Sequence, residues 1–202
     1  LSEELLRPFL TVFAAQLDSS LSSNLRAGLP VAAFMLTLAI AQPLGPILAQ
    51  RADLRKLMIA TALIGTAMLA VSASTQSITA LIVWRAGAGM AYGLALILAQ
   101  TAIVRMTTSQ HRARGMTSVA AAIVAAGIVG PPFGGMIAAQ MGAQIAFIGC
   151  AICMCSAITA IWKVRDLNQE HARPSKMPSY LWQAYLDIWR EPRAMAVILG
   201  AA

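Results

Sequence analysis

Between residues 28 and 163 the sequence runs through five long apolar stretches, 28–49, 57–73, 78–104, 116–141 and 143–163, separated by short polar connections. Before the closing Lys163 they carry a single charged side chain, Arg85. A hydrocarbon layer about 30 Å thick takes about 20 apolar residues of helix to cross, so each stretch has the length of a membrane span. Backbone groups in lipid must be satisfied within the chain, which leaves helices or a closed barrel; apolar runs this long suit helices. A soluble chain is excluded by the same count: with 58% hydrophobic and 11% charged residues there is too little polar side chain to coat a globule of 202 residues. The expected fold class is therefore all-α, a polytopic membrane helix bundle whose first partner is the lipid bilayer.

A sixth apolar run, 5–17, is too short to cross alone and reads as the outer part of a first span; the polar residues from Asp18 to Arg26 suit a loop outside the membrane. The expected organisation is a transmembrane bundle over 1–163, with spans at about 5–17, 28–49, 57–73, 78–104, 116–141 and 143–163. A linker over 164–193 contains an amphipathic segment in which Tyr180, Trp182, Tyr185 and Trp189 alternate with polar residues, and 194–202 opens a seventh span. The start, Leu1-Ser2-Glu3-Glu4, has no basic leader and no Met, and reads as a point partway along a larger product.

The net charge of +7 raises the question of nucleic acid, but the basic residues form no stripe. They sit in alternate connections: three in 51–56, three in 105–114 and six in 163–193, against Arg26 alone on the other side. The positive-inside rule makes those loops cytoplasmic, as in a bacterial inner (plasma) membrane protein, and no nucleic acid partner is expected.

Arg85 is the residue that most needs an explanation. An arginine near the bilayer centre costs at least about 2.5–3.5 kcal/mol on insertion scales. At seven residues into its span it lies about 10 Å deep. It either faces a water-filled cavity and pairs with an acidic group, or snorkels to the outer surface. Gly89 and Gly93 follow it at helical spacing, a face that packs closely on another helix. In the fifth span, Gly127, Gly130, Pro131, Gly134 and Gly135 combine a smooth face with a proline kink, which reads as a hinge or gate wall. Glu4 and Arg7 are three residues apart and meet on one helix face, either as a cavity-facing pair that binds substrate or a proton, or as a wet helix end.

These residues carry a resemblance. Gly127-x-x-Gly130-Pro131-x-x-Gly134-Gly135 resembles the fifth-helix signature of proton-coupled antiporters of the major facilitator superfamily, although the first glycine precedes the second by three residues rather than four. Arg85-Ala86-Gly87-Ala88-Gly89 resembles the fourth-helix arginine motif of the same superfamily. The connection holding Gln50, Arg51, Asp53, Arg55 and Lys56 resembles its basic loop motif between the second and third spans, with Gln50 where the family has aspartate. The resemblance covers essentially the whole chain. It implies the six-helix N-terminal half of a transporter, with the C-terminal half of the same transporter as partner and a small-molecule substrate. It further implies export of a small, amphipathic solute driven by inward proton movement, with Arg85 tuning protonation, the glycine-rich segment as a proton-tight bending wall, and the basic loop setting the conformational equilibrium. The alternative is a transport-inactive scaffold or receptor domain that keeps the fold.

Enzyme readings find no support. His111 and His171 lie in basic stretches without ligand spacing, and no phosphate-binding glycine loop is present, so no cofactor, metal or catalytic residue is expected. Cys150, Cys153 and Cys155 share one apolar run and read as small buried thiols.

Overall fold

A computed structural model describes residues 2–17, 22–108 and 110–164. The described residues belong to one compact unit. Past Val164, the expected linker with its aromatic segment and the opening of a seventh span lie outside the described residues. Six helices follow one another: α1 (Ser2–Gln16), α2 (Ser23–Arg51), α3 (Leu54–Ala73), α4 (Ile78–Met106), α5 (Arg112–Met141) and α6 (Ala143–Lys163). Among the described residues there is no strand, and α2 through α6 are each long and apolar enough to cross a membrane. The 15 residues of α1 rise only about 22 Å, short of a full crossing.

The helices outrun the apolar runs that announce them. Residues 23–27, expected in a loop, form the first turns of α2, and α5 starts at Arg112 rather than 116. Backbone hydrogen bonding continues into water, so apolarity marks only the embedded length of a helix. Asp53 ends the connection before α3 as its N-cap: its carboxylate accepts from the backbone N–H groups of Arg55 and Lys56, at 2.9 and 3.2 Å.

One core cluster lies between α1, α3, α4 and α6, around Leu6, Leu10, Leu69, Leu81 and Phe147. The Phe147 ring meets Phe9 edge-on at 5.3 Å and Phe13 at 5.4 Å, the geometry aromatic quadrupoles favour. A smaller cluster of Ala49, Leu54, Leu98 and Ala102 closes the end of the bundle where α2 and α4 finish and α3 begins. Elsewhere large apolar side chains stand exposed, among them Leu36 and Ile40 of α2 and Val124, Ile128 and Phe133 of α5. Such surfaces are unsuited to water and suit hydrocarbon or another helical surface. The three cysteines differ from the expectation of buried thiols: Cys150 is buried, Cys153 partly so and Cys155 exposed. At about 100° per residue, side chains this close in sequence point to different sides of one helix.

Candidate functional site

Arg85 on α4 meets Glu3 on α1. Its Nη2 donates to Glu3 Oε2 at 2.9 Å and its Nη1 to Oε1 at 3.3 Å, a two-pronged pair between groups 82 residues apart. Both side chains are nearly sealed from solvent, with 3% of Arg85 and 8% of Glu3 accessible. The planar guanidinium fork matches a carboxylate at both oxygens, which a lysine does not. Phe34 of α2 supplies the floor: the guanidinium carbon lies 4.4 Å from its ring centroid, within cation–π range. Tyr92, about two helical turns beyond Arg85 on α4, extends that aromatic surface, its ring 6.0 Å from Phe34. Next to Glu3, the Ser2 hydroxyl donates to the sulfur of Met154 at 3.7 Å, tying the start of α1 to α6.

Why Glu3 faces inward follows from α1 itself. Leu6, Leu10 and Ala14 form the buried stripe of the helix, and Glu3 extends that stripe by one turn toward the N-terminus. Glu4 points elsewhere. Its carboxylate pairs with Arg7 at 3.4 Å, with 60% of the Arg7 side chain accessible and 14% of Glu4. Local spacing singled out this pair and passed over Glu3; the inward stripe was the signal that could have found it.

The glycines divide into two seams. Gly89 and Gly93 of α4 lie against α2, where a Cβ at Gly89 would overlap the Phe34 carbonyl oxygen and the Thr37 hydroxyl, and one at Gly93 would sit 2.7 Å from the Cβ of Ala41 and 2.9 Å from the Leu38 carbonyl oxygen. Gly130 and Gly134 of α5 lie against α1. A Cβ at Gly130 would overlap that of Glu4, and one at Gly134 would overlap the Leu5 carbonyl oxygen. Gly135 has Pro8 at ordinary contact distance, and Gly127 has no described neighbour within 4 Å of where a Cβ would stand. Pro131 lies within α5, which stays helical through it.

At the far end of the bundle, arginines cap helix ends. The Arg55 Nη2 donates to the carbonyls of Ile161, Trp162 and Val164 at 3.2, 2.9 and 2.7 Å, and Arg105 donates to that of Ala49 at 2.8 Å. Carbonyls of a last helical turn have no intrahelical partner and carry the negative end of the helix dipole, so a guanidinium is well placed there. Gln50, Arg51 and Lys56 are exposed beside them. Among the described residues no group of three or more His, Cys, Asp or Glu side chains could hold a metal ion.

Two comparisons with known proteins complete the site. No curated protein matches the chain. The family model of the Major Facilitator Superfamily matches residues 1–202.

Proposed function

We propose that this chain, which belongs to the Major Facilitator Superfamily and so to membrane transporters of small solutes, is the N-terminal half of a proton-coupled exporter. Glu3 is the group that takes and gives up the proton, and Arg85 is its switchable partner. The observation that carries this reading is the Arg85–Glu3 pair, two opposite charges clasped among transmembrane helices and nearly closed to solvent. Ionisable groups at such depth are expensive and mark ion or proton pathways. Protonation of Glu3 removes its charge and frees the guanidinium, which then seeks another acceptor; rocking of one half against the other follows that exchange. Glu4 and Arg7, partly open beside the pair, face the solute path, and a small amphipathic molecule is the substrate class they suit. Gly89, Gly93, Gly127, Gly130, Pro131, Gly134 and Gly135 shape the moving helix faces. Gln50, Arg51, Asp53, Arg55 and Lys56 belong to the cytoplasmic end and bias the conformational equilibrium.

The test is proton movement by the full-length transporter in liposomes under a gradient of cationic and amphipathic solutes. Solute-dependent proton flux that is lost in both Glu3→Gln and Arg85→Ala is the expected result. Solute flux that continues in Glu3→Gln with its proton coupling intact would remove Glu3 from the mechanism. Absence of flux for every solute would favour a scaffold that keeps the fold without transport.

A further inference from the structure

We propose that Gly130 and Gly134 are positioning residues for the Glu3 carboxylate: the close seam they make carries α1 on α5 as one body and sets where Glu3 meets Arg85. The inference rests on Glu3 being the proton-binding group proposed above.

Both glycines bear on the backbone just after Glu3. A Cβ at Gly130 would lie 2.9 Å from the carbonyl carbon of Glu4 and 3.1 Å from the nitrogen of Leu5, and one at Gly134 would lie 2.8 Å from the Leu5 Cα, besides overlapping its carbonyl oxygen. Where the obstacle is a flexible side chain, as with the Met154 methyl beside Gly65 or Met68 beside Gly87, a rotamer change makes room. Backbone atoms cannot turn aside, so α1 itself has to move. The segment it would move is the one that holds the carboxylate, one and two residues from the contact, in an ion pair already stretched to 3.3 Å on one prong. Hydrogen bonds lose most of their worth a few tenths of an ångström beyond that. α1 is also softened here, because Pro8 has no N–H to return to the Glu4 carbonyl.

The seam is local. Within α5 only Gly130 and Gly134 are buried. Beyond Gly135 the helices part around an apolar cavity of about 400 Å³ lined by Val12, Phe13, Ala138 and Ala139 among others. What α5 fixes in α1 is thus concentrated where the charge lies. Gly127, with no described neighbour within 4 Å of its Cβ position, is a control on the same helix; Gly93, also crowded but set against Leu38 and Ala41, is a control for crowding alone.

The experiment is a proton titration of the purified full-length transporter in weakly buffered detergent. Proton uptake is read by a pH indicator as pH is stepped, and the Glu3-dependent step is isolated by subtracting Glu3→Gln. Gly130→Ala and Gly134→Ala are expected to move that step to higher pH by about half a unit or more, because drawing a carboxylate away from a guanidinium favours its protonated form. Gly127→Ala and Gly93→Ala are expected to leave it in place. Folded Gly130→Ala and Gly134→Ala with the step unmoved would overturn the positioning role and leave Glu3 as the proton site. A titration that Glu3→Gln does not change would overturn both.

Should the alanine variants not fold, a tether reports on the same seam without adding bulk to it. Pro8 and Gly135 present Cβ positions 3.9 Å apart, within disulfide range. Pro8→Cys with Gly135→Cys, in a background where Cys150, Cys153 and Cys155 are alanine, is expected to keep the Glu3 step and transport when oxidised. Loss of transport on oxidation, restored by reductant, would show that α5 slides along α1 during the cycle and overturn the inference.

Discussion

The two glycine seams use the same device to different ends. Where α4 meets α2, Gly89 and Gly93 admit backbone, the Thr37 hydroxyl and the Ala41 methyl, and α4 is buried at intervals from Ile78 to Ala102. The crossing is one contact among many in a packed scaffold. Where α5 meets α1, Gly130 and Gly134 are the only buried residues of α5, and what they admit is the stretch of α1 that bears Glu3 and Glu4. Small residues spaced four apart thus mark close helix approach in both places. What sets the two apart is what the partner helix carries at the point of contact.

The strongest attempt to break this contrast is Arg85→Ala. It leaves Glu3 buried without its partner, a change that costs about 3–5 kcal/mol. Unfolding of the full-length protein in detergent should report a loss of that size, and adding Glu3→Gln should recover part of it. A loss well below 1 kcal/mol would mean that the seam, not the ion pair, holds α1 in place.

Next in size are the glycines themselves. Gly134→Ala and Gly93→Ala each overpack a tight crossing and should destabilise by about 1–3 kcal/mol. Melting curves are expected to look alike for the two, while proton titration separates them. Smaller again is Arg7→Ala. With so much of its side chain accessible, the pair with Glu4 should contribute less than about 1 kcal/mol. A larger loss in the same melting measurement would place this pair in a closed environment in the complete transporter. At the bottom of the scale, Gly127→Ala should stabilise by about 0.4–1 kcal/mol, since alanine restricts the unfolded chain and finds space here. Destabilisation would reveal a neighbour of α5 that the described residues do not include.

Much of the architecture could be read from the amino acids. Five runs of span length announce α2 to α6, because hydrocarbon imposes its thickness on the apolar length of a helix. Arg85 stood out because a charge inside such a run needs an answer. The answer itself, Glu3, was not legible: it lies 82 residues away, and the neighbouring Glu4 offered a local partner at helical spacing. Pattern along a chain speaks to which residues share a face, and says little about which helix that face meets. So the glycines of α4 and α5 were recognisable as close-packing surfaces, while their partners, α2 and α1, came from the fold. Gly127 shares the pattern of its neighbours and still meets no other helix among the described residues.

The cap that Arg55 places on the end of α6 also has a consequence in time. Its guanidinium and the Trp162 carbonyl are 107 residues apart in the chain. At about 5–20 residues per second of synthesis, α3 waits on the order of ten seconds before the group it will clasp has been made. During that interval α4 and α5 must enter the bilayer with this end of the bundle still open. The clasp is therefore a closing event of biogenesis: it can form only after α6 is complete, and it fastens the start of α3 to the end of α6.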